Sequence, residues 1–366
     1  MRPHYPTIEV NLSAIEQNAR VLCALCGQHG VTVAGVVKFS DGDVRIAQRY
    51  AAGGCKQIAV SRAKHLAALR AALPDTELLL TRAPGPSDAE EVAKYADLTL
   101  YTSADGLRAL ESAAAKFNKN PGVLLMLDVG DLREGVDSVE ALCDLACMVE
   151  RELPHVRLRG IGTNLACLNG VLPTPENLAY LVEAAEAVEK KIGRTLEWIS
   201  GGSSIDLILL KDGVCKLPPR INHLRIGGVI ANPRNIRINR GVSFPGLRED
   251  SVTFRAEVIE VEEKDSLPHG VSTLNWSGTH VEQVDRGRRL RAILALGSQD
   301  VGDVRTLMPL DAGVEVVGCS SDHTIVDVTD CPVPPRYGDV LSFRAGYSPM
   351  LYAFTGSHVT PVYTED

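Results

Sequence analysis

The sequence is most restrictive in what it lacks. No apolar stretch approaches the roughly 20 residues that a helix needs to cross a bilayer, and the opening MRPHYPTIEV has no apolar signal core. Lys and Arg form no block, and the formal net charge is -8. These absences argue against a membrane span and against a surface for nucleic acid or anionic membranes. We therefore expect a cytoplasmic protein whose partner is a small molecule or another copy of itself.

Cysteine is present, but in a pattern that argues against two of its common uses. Cys23 and Cys26 form one CxxC, yet the second CxxC or His pair that a zinc site usually requires is missing. Nine cysteines are an odd number with scattered spacing, which argues against a disulfide framework. Cys23 and Cys26 fall in a helical pattern, as do Cys143 and Cys147. We expect ordinary core cysteines and no metal site.

Short β-prone apolar runs alternate with mostly helical stretches as far as residue 235. The runs are TVAGVVK, QIAVS, ELLLTR, LTLYTS, GVLLMLDVG, RLRGIGTN, LEWISGG and HLRIGGVI. Runs that are apolar on both faces and joined through helices are typical of a parallel sheet, and eight such units suit a (β/α)8 barrel. We predict an α/β TIM-barrel domain over residues 8–235.

The pattern changes near residue 236. The runs FRAEVIEVEEK, RRLRAILALG, VEVVGCS, TIVDVTD and DVLSFRAG are separated by Pro, Gly and Asp turns and show hardly any helical periodicity. We predict a separate all-β C-terminal domain over residues 236–366. The N-terminal residues 1–12 precede the first barrel unit and could pair with that domain.

In such barrels the C-terminal ends of the strands face one mouth, which carries the chemistry. The first strand ends on Lys38, Arg133 follows the fifth strand, and Arg225 lies near the end of the eighth. The turns after the seventh and eighth strands contain Ser203, Ser204, Gly227 and Gly228. Turns at these two places commonly bind phosphate through backbone N–H groups. A phosphate site facing a lysine indicates pyridoxal 5′-phosphate held as a Schiff base, with Arg225 at the pyridine nitrogen.

Several segments match a known family, from Tyr5 to the C-terminal region. They are YPTIEVNLSAIEQNA, GVVKFSDGD, LDVGDLREGV, GIGTNLACLNGV, ISGGSS, LRIGG, RAILALGSQDV and SSDHTIVDVTD. On these segments the chain resembles the fold-type III pyridoxal-phosphate enzymes of the alanine racemase kind, and more closely the amino-acid racemase group that includes ornithine racemase. The resemblance implies a barrel followed by a β domain, a head-to-tail homodimer, and interconversion of L- and D-amino acids by two-base α-proton transfer.

The resemblance also implies roles at the barrel mouth. Lys38 would be the Schiff-base lysine, Arg225 would lie beside the ring nitrogen, and Arg133 would lie near the substrate and the second base. The cofactor phosphate would lie at Ser203, Ser204, Gly227 and Gly228. Because a guanidinium is always charged, it disfavours protonation of the ring nitrogen, which suppresses transamination and suits a racemase.

Four residues bear on the substrate. Asn164 stands where alanine racemases carry a histidine against the cofactor ring, which argues against alanine, and Asp41 stands where the ornithine racemase group has a cysteine. Asp41, Asp43 and Asp131 are acidic residues near the mouth. They could pair with the second ammonium group of ornithine or another basic amino acid, or could simply be solvated turn residues.

Racemisation needs a proton removed from one face of the α-carbon and delivered to the other, which one lysine cannot easily do. The β domain offers Tyr347 in RAGYSPML and His323 in SSDHTIV. In the family that the chain resembles, the β domain of one subunit covers the barrel mouth of the other. We favour Tyr347 as the second base, because the positive charge of Arg133 would lower its pKa.

Two other functions stay open at this point. A pyridoxal-phosphate lyase of the D-threonine aldolase or D-serine dehydratase kind has a similar C-terminal domain around SSDH and GDVLSF. Such a lyase carries a metal-binding pair where this chain has Ala345–Pro349. A non-catalytic pyridoxal-phosphate carrier is a lone barrel, so the separate β domain argues against that role.

Overall fold

The computed structural model describes residues 4–280 and 284–366. The chain divides into two compact units. The first, here called the barrel unit, is Leu12–Glu249, and the second, the sheet unit, combines Met1–Asn11 with Asp250–Asp366.

The strands and helices follow in chain order. The strands are β1 (Thr7–Asn11), β2 (Thr32–Val36), β3 (Gln57–Val60), β4 (Glu77–Leu80), β5 (Leu98–Tyr101), β6 (Gly122–Met126), β7 (Arg157–Gly162), β8 (Trp198–Ser203), β9 (His223–Ile226), β10 (Val252–Asp265), β11 (Arg288–Leu294), β12 (Leu307–Pro309), β13 (Glu315–Cys319), β14 (Thr324–Asp327), β15 (Val340–Ala345) and β16 (Thr360–Thr364). The α-helices are α1 (Leu12–Gly27), α2 (Val44–Ala52), α3 (Leu66–Ala72), α4 (Ala89–Tyr95), α5 (Ala104–Phe117), α6 (Val139–Glu152), α7 (Pro175–Ile192), α8 (Gly228–Ala231), α9 (Arg234–Arg240), α10 (Ser298–Val301) and α11 (Tyr347–Thr355). Short 3-10 helices lie at Lys38–Ser40, Ala63–His65, Pro86–Asp88, Ser204–Gly213 and Val304–Thr306.

Strands β2 to β9 form a closed parallel barrel, which confirms the predicted (β/α)8 fold. Ala34 of β2 pairs with Gln57 of β3 on one side and with Arg225 of β9 on the other, and these pairings close the ring. One apolar cluster is shared by strands β2 to β6: Ala34, Val36, Ala59, Leu79, Leu98, Leu100, Leu124 and Met126. Polar side chains inside the barrel are therefore exceptions to its mainly apolar interior.

In the described residues the sheet unit has eight strands, which confirms the predicted β domain. Its order is β12-β15-β10-β11-β14-β13, and β1 pairs with β10 and β16. The β1–β10 pairing is antiparallel and the β1–β16 pairing is parallel. The unit also contains α10 and α11, which the sequence analysis did not predict. Four and nine residues are too few to show a repeated apolar stripe.

The barrel unit continues to Glu249, so the predicted boundary at residue 235 was too early. The segment that follows α9 is joined to the barrel unit by hydrogen bonds to α1. Asn18 is fully buried in α1; its Nδ2 donates to the carbonyl of Arg248 at 2.9 Å, and its Oδ1 accepts from the Arg248 N–H at 2.7 Å. A buried amide needs such partners. The barrel also begins at Leu12 rather than at residue 8, because β1 belongs to the sheet unit.

The cysteines range from buried to exposed, and two of them, Cys167 and Cys215, are exposed. Cys26 and Cys143 are buried, whereas Cys23 and Cys147 are half-buried, and the Sγ of Cys23 lies 3.6 Å from that of Cys55. Within the described ranges, no three or more His, Cys, Asp and Glu side chains are grouped so that they could hold a metal ion. None of the helices in those ranges is both long and apolar enough to span a bilayer.

Candidate active site

Lys38 lies where the chain leaves β2. The N–H of Val37 still donates to the carbonyl of Ala59 at 2.8 Å, and the 3-10 turn begins with Lys38 itself. The turn ends on Asp41, whose φ of 48° is left-handed, and Asp43 then caps α2 by accepting from two backbone N–H groups. The sequence SDGD therefore turns the chain from strand to helix and leaves Lys38 at the C-terminal end of the barrel.

The charged groups around Lys38 lie on β9 and on the loops that follow β6 and β7. Lys38 reaches solvent, but burial of its amine by the surrounding protein lowers its pKa. Cys167 and Glu134 oppose this shift, whereas Arg133 and Arg225 lower the pKa further. The amine thus lies within electrostatic reach of β9 and of the loops that follow β6 and β7. These are the strand ends that the sequence analysis expected to meet.

Arg225 is buried and held by hydrogen bonds. Its Nη2 donates to the carbonyl of Thr163 at 2.7 Å and, more weakly, to Asn164 Oδ1 at 3.5 Å, and its Nη1 donates to Ser200 Oγ. Burial lowers the pKa of Arg225 to about 10, so the guanidinium is charged at neutral pH. The protein therefore keeps a fixed cation just inside the mouth.

Two polar atoms beside Arg225 have no hydrogen-bond partner among the described residues. They are Thr163 Oγ1 and Asn164 Nδ2, both buried at the end of β7. Burying a polar atom without a partner costs free energy, so native structures rarely leave such atoms alone. A polar ligand bound beside Arg225 would supply the partners that these two atoms need.

The two glycine-rich turns are tied to each other and to β2. Ser204 Oγ accepts from the N–H of Gly227 at 3.0 Å, and the hydroxyl of Tyr50 donates to the carbonyl of Gly227 at 3.1 Å. A Cβ on residue 227 would lie 2.7 Å from the carbonyl oxygen of Val36. Only glycine fits this approach, which brings both turns to the strand that carries Lys38.

Asp206 holds the backbone of the turn after β8 through a hydrogen bond. It is fully buried, its Oδ2 accepts from the Ser203 N–H at 2.7 Å, and burial raises its pKa to about 7. Gly202 has a φ of +147°, and a Cβ there would lie 2.4 Å from Asp206 Oδ2. The backbone N–H of Ser203 is therefore used within the protein. The side-chain hydroxyls of the turn remain the groups that could face a phosphate.

The loops after β6 and β7 are held together by Asp131. This carboxylate is fully buried and accepts from the N–H groups of Cys167, Leu168 and Val171 at 2.8–3.1 Å. Burial alone would raise its pKa, but these backbone hydrogen bonds outweigh it and hold the pKa of Asp131 below its usual value. Asp131 is thus a structural residue and does not face a substrate ammonium group.

The other two acidic residues singled out from the sequence also have partners within the protein. Asp43 caps α2 by accepting from the N–H groups of Arg45 and Ile46 at 2.9 and 3.1 Å. Asp41 contacts His65 Nε2 at 3.0 Å and Lys64 Nζ at 3.5 Å. Both carboxylates stabilise the turn that follows Lys38.

Sequence reasoning missed Glu134 and Cys167. Arg133 Nη1 donates to Cys167 Sγ at 3.1 Å, and Nη2 pairs with Glu134 Oε1. The Arg133 and Glu134 side chains are 31% and 26% exposed, so a small molecule can reach both. The negative charge of Glu134 raises the pKa of both Lys38 and Arg225. The signal in the sequence was the Arg-Glu pair of DLREGV.

The two candidates for the second base belong to the sheet unit. Tyr347 is the first residue of α11 and is half-buried. His323 lies between β13 and β14, with its Nδ1 2.7 Å from Asp322 Oδ1. Their part in catalysis stays a prediction.

The family to which the chain belongs follows from comparison with known sequences. Residues 10–231 match the family described as alanine racemase, N-terminal domain. The chain belongs to this family. A lysine racemase of Thermotoga maritima is 37% identical over 359 residues, which are 98% of each chain. An ornithine racemase of Acetoanaerobium sticklandii is 34% identical over 355 residues, 97% of this chain and 98% of that one.

Solved structures show the same fold. An alanine racemase of Streptomyces lavendulae superimposes with a TM-score of 0.74 at 18% identity, covering 100% of this chain and 98% of that chain. A D-threonine aldolase of Filomicrobium marinum gives 0.71 at 17% identity, covering 95% and 88%. Family membership and the full-length similarity to two racemases make this alanine racemase family member a racemase, an isomerase by class.

Members of the alanine racemase family depend on pyridoxal 5′-phosphate, and the residues of this racemase fit that cofactor. An amine, a fixed guanidinium and two serine hydroxyls lie at the strand ends that share the barrel mouth. The unpartnered Thr163 Oγ1 and Asn164 Nδ2 lie beside the guanidinium. The donors suit an anionic phosphate and a neutral ring nitrogen, and the amine suits an aldehyde.

Proposed function

We propose that this racemase interconverts the L and D forms of a basic amino acid, lysine or ornithine, with pyridoxal 5′-phosphate as cofactor. The observation that carries the proposal is Lys38, an amine of lowered pKa at a barrel mouth that also contains Arg225 and the glycine-rich turns. Both curated relatives, similar over their full length, are named for racemisation of a basic amino acid.

The proposal assigns each group of the cofactor to residues of this chain. Lys38 would hold the aldehyde carbon, Arg225 the ring nitrogen, and Asn164 would contact the cofactor through its unpartnered Nδ2. The phosphate would lie at Ser203, Ser204, Gly227 and Gly228. When bound, pyridoxal 5′-phosphate supplies an electron sink that makes the α-proton of an amino acid acidic.

The side chains have distinct tasks in moving that proton. Because the pKa of Lys38 is lowered, a larger fraction of its amine is neutral near pH 7 and can accept a proton on one face of the α-carbon. Arg225 stays charged and donates hydrogen bonds without accepting any. We propose that Tyr347, or else His323, from a second copy holds the proton on the opposite face.

Glu134 is the carboxylate that we propose for the side-chain ammonium of the substrate. Asp41, Asp43 and Asp131 are engaged in turns, a helix cap and a loop clamp. Glu134 remains partly exposed beside Arg133, and its charge acts on Lys38. A carboxylate that is partly removed from water pairs well with an ammonium group, and such pairing would favour a diamino acid over alanine.

The proposal also includes a head-to-tail homodimer in the cytoplasm, as the family resemblance and the sequence imply. Light scattering on the purified protein should give about twice the 39.4 kDa mass of one chain. A mass of one chain at concentrations where the enzyme is fully active would contradict the dimer.

A chiral assay tests the function as a whole. Purified protein with pyridoxal 5′-phosphate is incubated with lysine, ornithine, arginine, alanine and serine, and with D-threonine in the presence and absence of a chelator. We expect racemisation of lysine and ornithine that a chelator does not affect. Preference for alanine would overturn the substrate class, and chelator-sensitive cleavage of D-threonine would favour a lyase. Borohydride reduction followed by peptide mass spectrometry should find the cofactor on Lys38.

A further inference from the structure

Behind Arg225, three buried polar side chains interrupt the apolar filling of the barrel. They are Ser200 of β8, His223 of β9 and Gln57 of β3, each at most 1% exposed. His223 Nδ1 lies 2.8 Å from Ser200 Oγ, and its Nε2 lies 2.8 Å from Gln57 Oε1. Ser200 Oγ in turn accepts from Arg225 Nη1. One line of hydrogen bonds thus runs from the mouth into the barrel.

The line continues to an ion-pair cluster at the opposite end of the strands. Gln57 Nε2 donates to Glu77 Oε2, and Glu77 begins β4. Arg159 pairs with Glu77 and also with Glu197, with 2.7 Å between Arg159 Nε and Glu197 Oε2. Since Gln57, Glu77 and His223 each begin a strand, this cluster lies at the N-terminal end of the barrel, away from the mouth.

The direction of every hydrogen bond in the line is fixed from both ends. A guanidinium only donates, so Ser200 accepts from Arg225 and gives its single proton to His223 Nδ1. At the other end the Glu77 carboxylate only accepts, so Gln57 gives it an N–H and turns its carbonyl oxygen to His223 Nε2. Both constraints require the same tautomer of His223, with the proton on Nε2.

His223 keeps this tautomer throughout the neutral range. Burial, together with the positive charges of Arg225 and Arg159, lowers the pKa of His223 to about 3. A protonated imidazole would place a donor against the Ser200 hydroxyl, which would have to turn its own proton away and could no longer be held by Nδ1. With a neutral ring, the Ser200 hydroxyl can only donate to His223 Nδ1. Its oxygen then faces Arg225 Nη1 as the acceptor.

We propose that His223 is a positioning residue that acts through Ser200 to fix the Arg225 guanidinium in the orientation that meets the cofactor ring. The proposal rests on the proposed function, which places the ring nitrogen at Arg225. Without His223, the Ser200 hydroxyl can rotate and donate elsewhere. The guanidinium then keeps its Thr163 bond at 2.7 Å but loses the second anchor that defines its plane.

The cofactor-free protein provides the first test. Nitrogen NMR of ¹⁵N-histidine-labelled wild type should show His223 unprotonated at Nδ1 and protonated at Nε2 from pH 5 to 8. Ser200→Ala should shift the Nδ1 resonance and leave the Nε2 resonance nearly unchanged. A ring protonated at Nδ1, or one that titrates between pH 5 and 8, would overturn the proposal whether or not the protein binds a cofactor.

The loaded enzyme provides the second test. Ser200→Ala and His223→Leu should each weaken cofactor binding by on the order of 10-fold, as expected for loss of one hydrogen bond to a charged group. Both should also change the pH dependence of cofactor absorbance and raise side transamination. The double variant should be no worse than either single variant, because the two residues act in one line.

Two further variants separate positioning from packing. His223→Asn keeps an acceptor near Nδ1 and should restore the wild-type spectrum, whereas His223→Leu should not. Thr99→Val changes a fully buried polar side chain of β5 and should leave the spectrum unchanged. If His223→Leu folds with wild-type spectrum and transamination, the positioning role is refuted. If wild type itself neither binds the cofactor nor racemises, the proposed function fails instead.

Discussion

The two sides of the barrel mouth hold their charged groups in different ways. Near β8, β9 and β2, Arg225 is buried, its hydrogen bonds are fixed, and Gly227 is packed against Val36. In the loop after β6, the Arg133 and Glu134 side chains are 31% and 26% exposed. The first arrangement suits a resident cofactor that must not move. The second suits a substrate that enters and leaves.

Lys38 is proposed both to attach the cofactor and to accept the proton of the substrate. We expect Lys38→Ala to lose at least about 10⁴-fold in racemisation, because a positioned base alone contributes about 10²–10⁴ and the cofactor attachment is lost as well. Chiral chromatography measures the loss. Lys64→Ala is the control, since Lys64 is exposed and pairs with Asp41 just beyond the same strand ends. A nearly fully active Lys38→Ala would contradict the whole assignment.

A variant of Tyr347 tests whether the sheet unit of a second copy supplies the second base. Tyr347→Phe should lower racemisation by about 10²–10⁴-fold. It should still exchange the α-proton of one enantiomer with deuterated solvent through Lys38, as measured by proton NMR. Tyr337→Phe is the control, because Tyr337 is 79% exposed in the same unit. If His323→Asn shows this behaviour and Tyr347→Phe does not, His323 is the second base.

Mixing two inactive variants tests where the second base comes from. In a hybrid dimer of Lys38→Ala and Tyr347→Phe chains, one of the two sites has both bases intact. The mixture should therefore regain some activity once subunits exchange. A mixture that stays inactive although mass spectrometry detects hybrids would show that the bases are not shared between copies in this way.

Glu134 tests the substrate side alone. Glu134→Gln should lower kcat/KM for lysine and ornithine by about 10–100-fold, because a hydrogen bond between charged groups is lost, and should leave any turnover of alanine unchanged. Glu140→Gln, an exposed residue in the first turn of α6, is the control. An equal loss for alanine and lysine would mean that Glu134 only holds Arg133.

Asp206 and Asp131 organise the two sides of the mouth. Their contributions to the free energy of unfolding should depend on pH in opposite directions. The pKa of Asp206 is raised to about 7, so its contribution falls as pH rises from about 4 to 7. The pKa of Asp131 is lowered, so its contribution is complete above about pH 4 and is lost as pH falls below that. Thermal melts of the cofactor-free protein should show Asp206→Asn losing the first slope and Asp131→Asn the second. Matching slopes in both variants would contradict the difference.

The sequence was a good guide wherever function follows the end of a strand. Runs such as GVVK and HLRIGG are apolar on both faces, so their C-terminal ends can be located from the sequence alone and placed at one barrel mouth. Lys38 and Arg225 were found in this way. The barrel and the β domain followed from the change in periodicity near residue 236.

The sequence was a poor guide wherever a role depends on the closure of the barrel. Gln57, Ser200 and His223 are far apart in the chain, and each resembles an ordinary strand residue until β9 returns beside β2. The sequence left Asp131 either as a partner for a substrate ammonium group or as a solvated turn residue, but its carboxylate turns inward to backbone N–H groups of the loop after β7. Glu134 was not predicted, because its electrostatic effect on Lys38 depends on two strand ends that are far apart in the chain. Local patterns do not encode such long-range partners.

The placement of β1 has a consequence for synthesis on the ribosome. Thr7 pairs with Arg255 and with Thr360, so both neighbours of the first strand are made long after it. The barrel strands β2 to β9, in contrast, are complete before β10 is translated. The nascent barrel can therefore close while β1 waits with two unpaired edges, which are sites for wrong pairing. Completion of the sheet awaits the synthesis of β16.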